Sequence, residues 1–168
     1  MDGIFREWSE FNVAVAGAGA ALGGLLIVAL SVNIRQIAES RGLAARAGAS
    51  IATLILGVVL SCAALIPGQL TWGFGIQVLA GTALCGIVAV RSAVAIRRDS
   101  AATGYGRWDA ERIALFGLPL VFDLAAGVLL LGGAGLAALG LVFVAVGTML
   151  AIVTTVLFSW IALVEVLR

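Results

Sequence analysis

A single carboxylate, Asp123, lies near the middle of the uncharged stretch 113–131. A stretch of this length and composition is typical of a membrane-spanning helix. Ten residues of helix would place Asp123 about 15 Å from the start of that span, near the middle of a bilayer. A charged group at that depth is unfavourable by a few kcal/mol or more unless a partner satisfies it. Asp123 is therefore either part of a path for ions or solutes, or a buried residue that joins helices by a hydrogen bond.

The partners that the sequence offers to Asp123 are polar side chains in other apolar stretches. They are Asn33, Thr148, Thr154 and Thr155. Arg35 and Arg91 lie at the ends of apolar stretches, several ångströms too shallow for an ion pair with a carboxylate near the midplane. Pro119 removes a backbone donor one turn before Asp123 and loosens the helix there.

Ser31 and Asn33 form a second polar pair, at the end of the first uncharged stretch. Their oxygens could coordinate an ion that passes through the protein, or could hydrogen-bond to a neighbouring helix at the membrane edge. The sequence leaves both readings open, and we treat Asp123, Asn33 and Ser31 together as candidate pathway or gating residues.

The same stretch is rich in small residues: nine of the eleven residues at 14–24 are Ala or Gly. Gly19 and Gly23 form a GxxxG pair, while Gly17 and Gly24 lie in neighbouring rows. Small residues let membrane helices approach closely, so we predict that these four glycines pack against other helices. The helix would then either line the centre of a homo-oligomer or lie packed inside one protomer.

Composition excludes a soluble domain and argues against catalysis. Of the 168 residues, 62% are hydrophobic and 11% are charged, whereas about a quarter are charged in a typical soluble domain. There is no histidine, and Cys62 and Cys85 are expected at different depths. No metal-ligand cluster, nucleophile–base pair or cofactor motif is visible, so we expect neither an enzyme nor a metal, cofactor or nucleic-acid partner.

The uncharged stretches predict an all-α fold, a polytopic bundle of five transmembrane helices in one membrane domain. The spans are 11–34, 47–66, 72–90, 113–131 and 138–164, preceded by an outer interfacial segment at 1–10. The loops after the first and third spans hold eight of the ten arginines. By the positive-inside rule, the N-terminus lies outside and the C-terminus in the cytoplasm. Abundant Ala, Gly, Val and Arg favour a bacterial inner membrane as the location.

The Ala/Gly-rich run followed by Ser31-x-Asn33 resembles the first span of an uncharacterised group of small actinobacterial multi-span membrane proteins. Some members of that group are named as modulators of a membrane-bound AAA protease. The run is also similar to the pore helix of large mechanosensitive channels. Those channels have two spans and a cytoplasmic N-terminus, so their fold does not carry over.

These patterns favour a passive pore or small transporter for ions or small solutes, formed as a homo-oligomer around the first span. The alternative is a non-catalytic membrane scaffold or a regulatory partner of another membrane complex. Both functions place the protein in a lipid bilayer.

Overall fold

The chain is all-α in the computed structural model. The structure describes residues 3–32, 34–39, 41–103 and 109–166, with the backbone alone at 36, 38, 39, 41–43, 95–103, 109–116, 134 and 161–166. The described residues form helices joined by turns, and they contain no strand. The helices are α1 Gly3–Glu7, α2 Ser9–Val32, α3 Ile34–Glu39, α4 Arg41–Ala64, α5 Thr71–Thr103, α6 Asp109–Leu131 and α7 Ala134–Val166.

Four of the described helices are long and apolar enough to cross a membrane. The segments concerned are Ser9–Val32, Ala44–Ala64, Thr71–Val94 and Gly135–Trp160. Helix α6 adds a shorter apolar segment, Gly117–Leu131. The prediction of an all-α fold is thereby confirmed, and the four long apolar helices support the prediction of a membrane protein.

Helices α4 to α7 form a closed ring. Each packs against the next along the chain, and α7 packs back against α4. Gly57 of α4 lies against Thr148 of α7, while Ser50 lies against Thr155, so these two helices run antiparallel. Helix α2 lies outside the ring and packs mainly against α4.

Two glycine-containing turns close the ring at one end. Gly68, between α4 and α5, has a φ of 73°, and Gly133, between α6 and α7, has a φ of 100°. Both values lie in the left-handed region, which glycine adopts without a steric penalty. In the first turn the Gln69 side chain donates hydrogen bonds to the Ala63 carbonyl and the Gln77 side-chain oxygen, at 3.2 and 2.9 Å.

Helix α1 covers the same end of the ring. Its Phe5 is buried and meets the fully buried Phe74 of α5 edge to face, with ring centroids 5.5 Å apart. Trp8 is half-buried, and its ring lies 5.7 Å from that of Phe11. The interfacial segment predicted at 1–10 therefore inserts one aromatic ring into the core of the bundle.

Candidate functional site: a buried polar layer in the ring

Asp123 lies inside the ring, on α6, one turn after the helix-internal Pro119. Its side chain is 3% exposed, and its carboxyl group lies against the bare backbone of Gly147 on α7. A Cβ atom at Gly147 would stand 3.1 Å from the Asp123 carboxyl carbon and 3.3 Å from the Pro119 carbonyl oxygen. Only a glycine at 147 leaves room for the carboxyl between α6 and α7.

All four ring helices meet at the depth of this carboxyl. Thr148, the neighbour of Gly147, contacts α4 at Gly57, where a Cβ would lie 3.4 Å from the Thr148 methyl group. The adjacent α4 residue, Leu56, reaches α5 at Gly81. The contacts α6–α7, α7–α4 and α4–α5 therefore define one layer across the ring.

Helix α5 adds two polar side chains at or next to this layer. Thr82 directly follows Gly81 and is 6% exposed. Cys85, three residues further along, is half-buried and close enough to Asp123 for the two to interact electrostatically. Its thiol donates a hydrogen bond of 3.4 Å to the Ala52 carbonyl of α4. Because helix positions three apart share a face, Thr82 and Cys85 point into the same interior region.

Buried oxygens without a hydrogen-bond partner are concentrated in the ring. Within the described residues they are Ser50 Oγ, Ser61 Oγ, Thr82 Oγ1 and Asp123 Oδ1. Buried polar atoms in native proteins nearly always have a partner. These four oxygens have no hydrogen-bond partner within the protein, so they can bind water, a proton or an ion.

The contact between α4 and α7 is lined with small and hydroxyl-bearing residues. Ser50, Gly57 and Ser61 are spaced by seven and four residues, which places them on one face of α4. Gly57 meets Thr148, so this face is turned towards α7. At the Ser50 level, Thr155 donates to the Ser50 carbonyl at 3.4 Å and to its own helix at 2.7 Å. We call Ser50, Thr53, Ser61, Thr148, Thr154 and Thr155 the hydroxyl seam.

The threonines of the hydroxyl seam are satisfied within their own helices. Thr53, Thr148 and Thr154 each donate to a carbonyl three residues earlier, at 3.0, 2.9 and 3.1 Å. The serine hydroxyls are not satisfied in this way. The seam therefore combines close helix packing with two serine hydroxyls that have no hydrogen-bond partner in the protein.

Of the candidate pathway residues predicted from the sequence, the structure describes Asp123 and Ser31, and these two lie apart. Asn33 lies outside the described residues. Ser31 is exposed on α2 and donates to the Ile27 carbonyl of its own helix at 2.7 Å. Since α2 lies outside the ring, Ser31 is not part of the layer that contains Asp123. Of the partners considered for Asp123, Thr148 lies in that layer.

The four glycines of α2 separate into two faces. Gly19 is buried against α4, where a Cβ would lie 2.6 Å from Val58 Cγ2, and a Cβ at Gly23 would lie 3.7 Å from a methyl group of Leu54. Gly17 and Gly24 are exposed, and a Cβ at either would meet nothing within 4 Å. One face of α2 therefore packs within the protomer, and the other is open.

Sequence reasoning missed Ser50, Ser61, Thr82 and Gly147. The sequence places Ser50, Gly57 and Ser61 on one face of a helix, but only the fold shows that this face is turned towards the interior of the ring. The described residues contain no group of three or more Cys, Asp or Glu side chains that could hold a metal ion.

Comparisons with protein families, with curated proteins and with solved structures give no match.

Proposed function

We propose that this protein is a small transporter or pore for ions or small solutes, with its path running through the α4–α7 ring past Asp123. The observation that carries the proposal is the state of Asp123 Oδ1, which is buried and has no hydrogen-bond partner. A carboxylate among apolar side chains is strongly unfavourable unless it binds a proton or pairs with a cation. A carboxyl whose only role was to join helices would have its oxygens paired, so the open oxygen favours a binding role.

This path differs from a pore around α2. Helix α2 packs on the outside of α4, so a channel along its small residues would not pass Asp123. The proposed path belongs to one protomer. Association into a homo-oligomer through the open face of α2, which carries Gly17 and Gly24, is a separate part of the proposal.

The test of this function is ion flux in proteoliposomes made with the wild type and with Asp123→Asn. Asparagine keeps the size of the side chain but cannot exchange a proton or carry a negative charge, so we expect Asp123-dependent flux to fall by about tenfold or more. Asp123→Glu keeps the carboxyl and should retain part of the flux. Leu124→Ala, at a lipid-facing position on the same helix, is the matched control.

Equal flux from the wild type and Asp123→Asn would overturn the role of Asp123. Absence of flux for protons, sodium, potassium and chloride, across pH and membrane tension, would remove the transport proposal altogether.

The proposed threading has five spans, with the N-terminus outside and the C-terminus in the cytoplasm. It is supported by the concentration of arginines in two loops and by residues 113–131 of α6, which correspond to about 28 Å of helix. In this topology the chain crosses the membrane five times in alternating directions, so both glycine-containing turns lie on the outer side.

Labelling of single cysteines in intact cells tests this threading. In a Cys62→Ala, Cys85→Ser background, an impermeant thiol reagent should label Pro67→Cys and spare Ser100→Cys. Pro67 is exposed in the α4–α5 turn, so the substitution disturbs little. The reverse labelling pattern would contradict the proposed orientation, and labelling at both sites would contradict the span count.

The second candidate is a scaffold or regulatory partner of another membrane complex. The observation in its favour is the exposure of α2. Only 17% of its most apolar stretch is buried within the protomer. Its open small-residue face could receive a helix of another protein. This function predicts that an Asp123→Asn variant keeps all its interactions, and that no ion flux is found.

A further inference from the structure

We propose that the transported ion is the proton, and that the hydroxyl seam of α4 and α7 conducts it to and from Asp123. This inference rests on the proposed function and specifies its substrate and its route.

The close packing around Asp123 favours a proton over a larger ion. Its carboxyl fills the space that a Cβ of Gly147 would take, with the Pro119 carbonyl beside it. Unpartnered oxygens at this layer come from Asp123 and Thr82, whereas a dehydrated metal cation needs several oxygens to replace its hydration shell. A proton needs a single oxygen at its binding position.

The positions of the unpartnered oxygens suggest the route. Ser50 and Ser61 lie on the α7-facing side of α4, and the Asp123 layer, marked by Gly57, falls between them. Seven residues of helix place Ser50 about 10 Å along the axis from Gly57, and four residues place Ser61 about 6 Å away on the other side. The two serines therefore flank the carboxyl along the membrane normal.

A gap of this size is longer than one hydrogen bond, so the relay must include further groups. Thr53 of α4 and Thr154 of α7 lie between Ser50 and the Asp123 layer. Each donates to a carbonyl of its own helix, so it passes a proton only after its hydroxyl turns away from that carbonyl. Hydroxyl groups and bound water molecules each accept one hydrogen bond and donate another, so they can pass a proton without changing their own composition. Water molecules between these hydroxyls would complete the chain.

The proton balance of one transfer is simple. The ionised Asp123 carboxylate accepts a proton delivered along the seam from hydronium at one surface and becomes a neutral carboxylic acid. It then releases that proton along the opposite half of the seam to water at the other surface. At each hydroxyl or water molecule of the relay one O–H bond forms as another breaks, hydronium becomes water at the first surface, and water becomes hydronium at the second.

Few charged or titratable groups face Asp123. On α5 the titratable group nearest this depth is the Cys85 thiol, which donates to the Ala52 carbonyl of α4. At the same depth α4 presents Gly57 and Leu56, and α7 presents Gly147 and Thr148. The nearest charged residue on α4 is Arg46, eleven residues from Gly57 and about 16 Å along the axis. No other charged side chain faces the carboxyl from the described part of the ring, so its charge is balanced mainly by the proton it binds.

The experiment measures proton flux into proteoliposomes with an enclosed pH-sensitive dye, driven by a potassium diffusion potential. Ser50→Ala and Ser61→Ala each remove one seam hydroxyl and add no volume. We expect each to lower proton flux by about tenfold, because a relay stops at a missing member. Ser31→Ala is the matched control, since Ser31 is exposed and bonds to its own helix; its flux should match that of the wild type.

Thermal unfolding of the same preparations separates conduction from packing. The Ser50 and Ser61 hydroxyls have no partner, so their removal should leave the unfolding temperature unchanged or raise it. Lower flux together with unchanged stability supports the relay. Lower stability in both variants would show that the hydroxyls are structural and would overturn it.

The flux results also separate the proposed function, transport past Asp123, from the inference that the proton is transported along the hydroxyl seam. Asp123-dependent flux of sodium or another ion, without proton flux, would overturn the proton inference and keep the proposed function. Proton flux that depends on Asp123 but is unaffected in both serine variants would overturn the route. Absence of any Asp123-dependent flux would overturn both.

Discussion

Two regions of this protein use small residues for opposite purposes. Helix α2 carries them all round, yet only the face with Gly19 and Gly23 is packed, against apolar side chains of α4. In the α4–α7 ring, small residues at Gly57 and Gly147 bring helices together around hydroxyl groups and a carboxyl. Small residues allow close helix approach in both places, while buried oxygens without a hydrogen-bond partner distinguish the ring from the packing surface of α2.

The difference also lies in what a methyl group would meet. At Gly19 it would meet the end of the Val58 side chain, which can shift. At Gly147 it would meet the Asp123 carboxyl and the Pro119 backbone carbonyl, which have less freedom. Substitution at Gly147 should therefore disturb the carboxyl as well as helix packing, whereas substitution at Gly19 should disturb helix packing alone.

The largest effect is expected for Gly147→Ala. The new methyl group would overlap the Asp123 carboxyl, and overpacking of this kind destabilises a folded protein by about 1–3 kcal/mol. We expect a lower unfolding temperature in detergent and loss of Asp123-dependent flux. Gly135→Ala, on the same helix but with open space around it, should leave both unchanged.

A double-mutant cycle sharpens this prediction. In an Asp123→Ala background the carboxyl is gone, so Gly147→Ala should destabilise much less than in the wild type. Equal destabilisation in both backgrounds would mean that Gly147 acts on the helix backbone alone and not on the carboxyl.

On α2 we expect an effect on stability alone, and Gly19→Leu and Gly17→Leu form a matched pair that tests it. Leucine at 19 must displace Val58 and should destabilise the protomer by about 1–3 kcal/mol. Leucine at 17 meets open space and should change stability by less than about 0.5 kcal/mol. Thermal unfolding measures both changes.

Native mass spectrometry of the same pair reports on assembly. If copies associate through the open face of α2, Gly17→Leu should shift the protein towards monomer while its stability is kept. Equal loss of stability in the two variants would contradict the division of α2 into a packed face and an open face.

Much of the fold could be predicted from the sequence because it depends on local properties. Long uncharged stretches require helices whose backbone hydrogen bonds are internal, which is why composition alone predicted an all-α membrane protein. Pro67 and Gly68 marked the break between two spans, and the structure has a turn there with Gly68 at positive φ. The exceptional position of Asp123 in an apolar stretch was also visible.

Only the tertiary structure decided which faces of the helices look inward. In a soluble protein the apolar face of a helix identifies the core, but in a membrane protein the lipid is as apolar as the core, so hydrophobic periodicity carries little information about rotation. The neighbours of Asp123, the open oxygens of Ser50, Ser61 and Thr82, and the position of α2 outside the ring all depend on that rotation and on helix depth. Both arise from contacts between helices, which no single stretch of sequence determines.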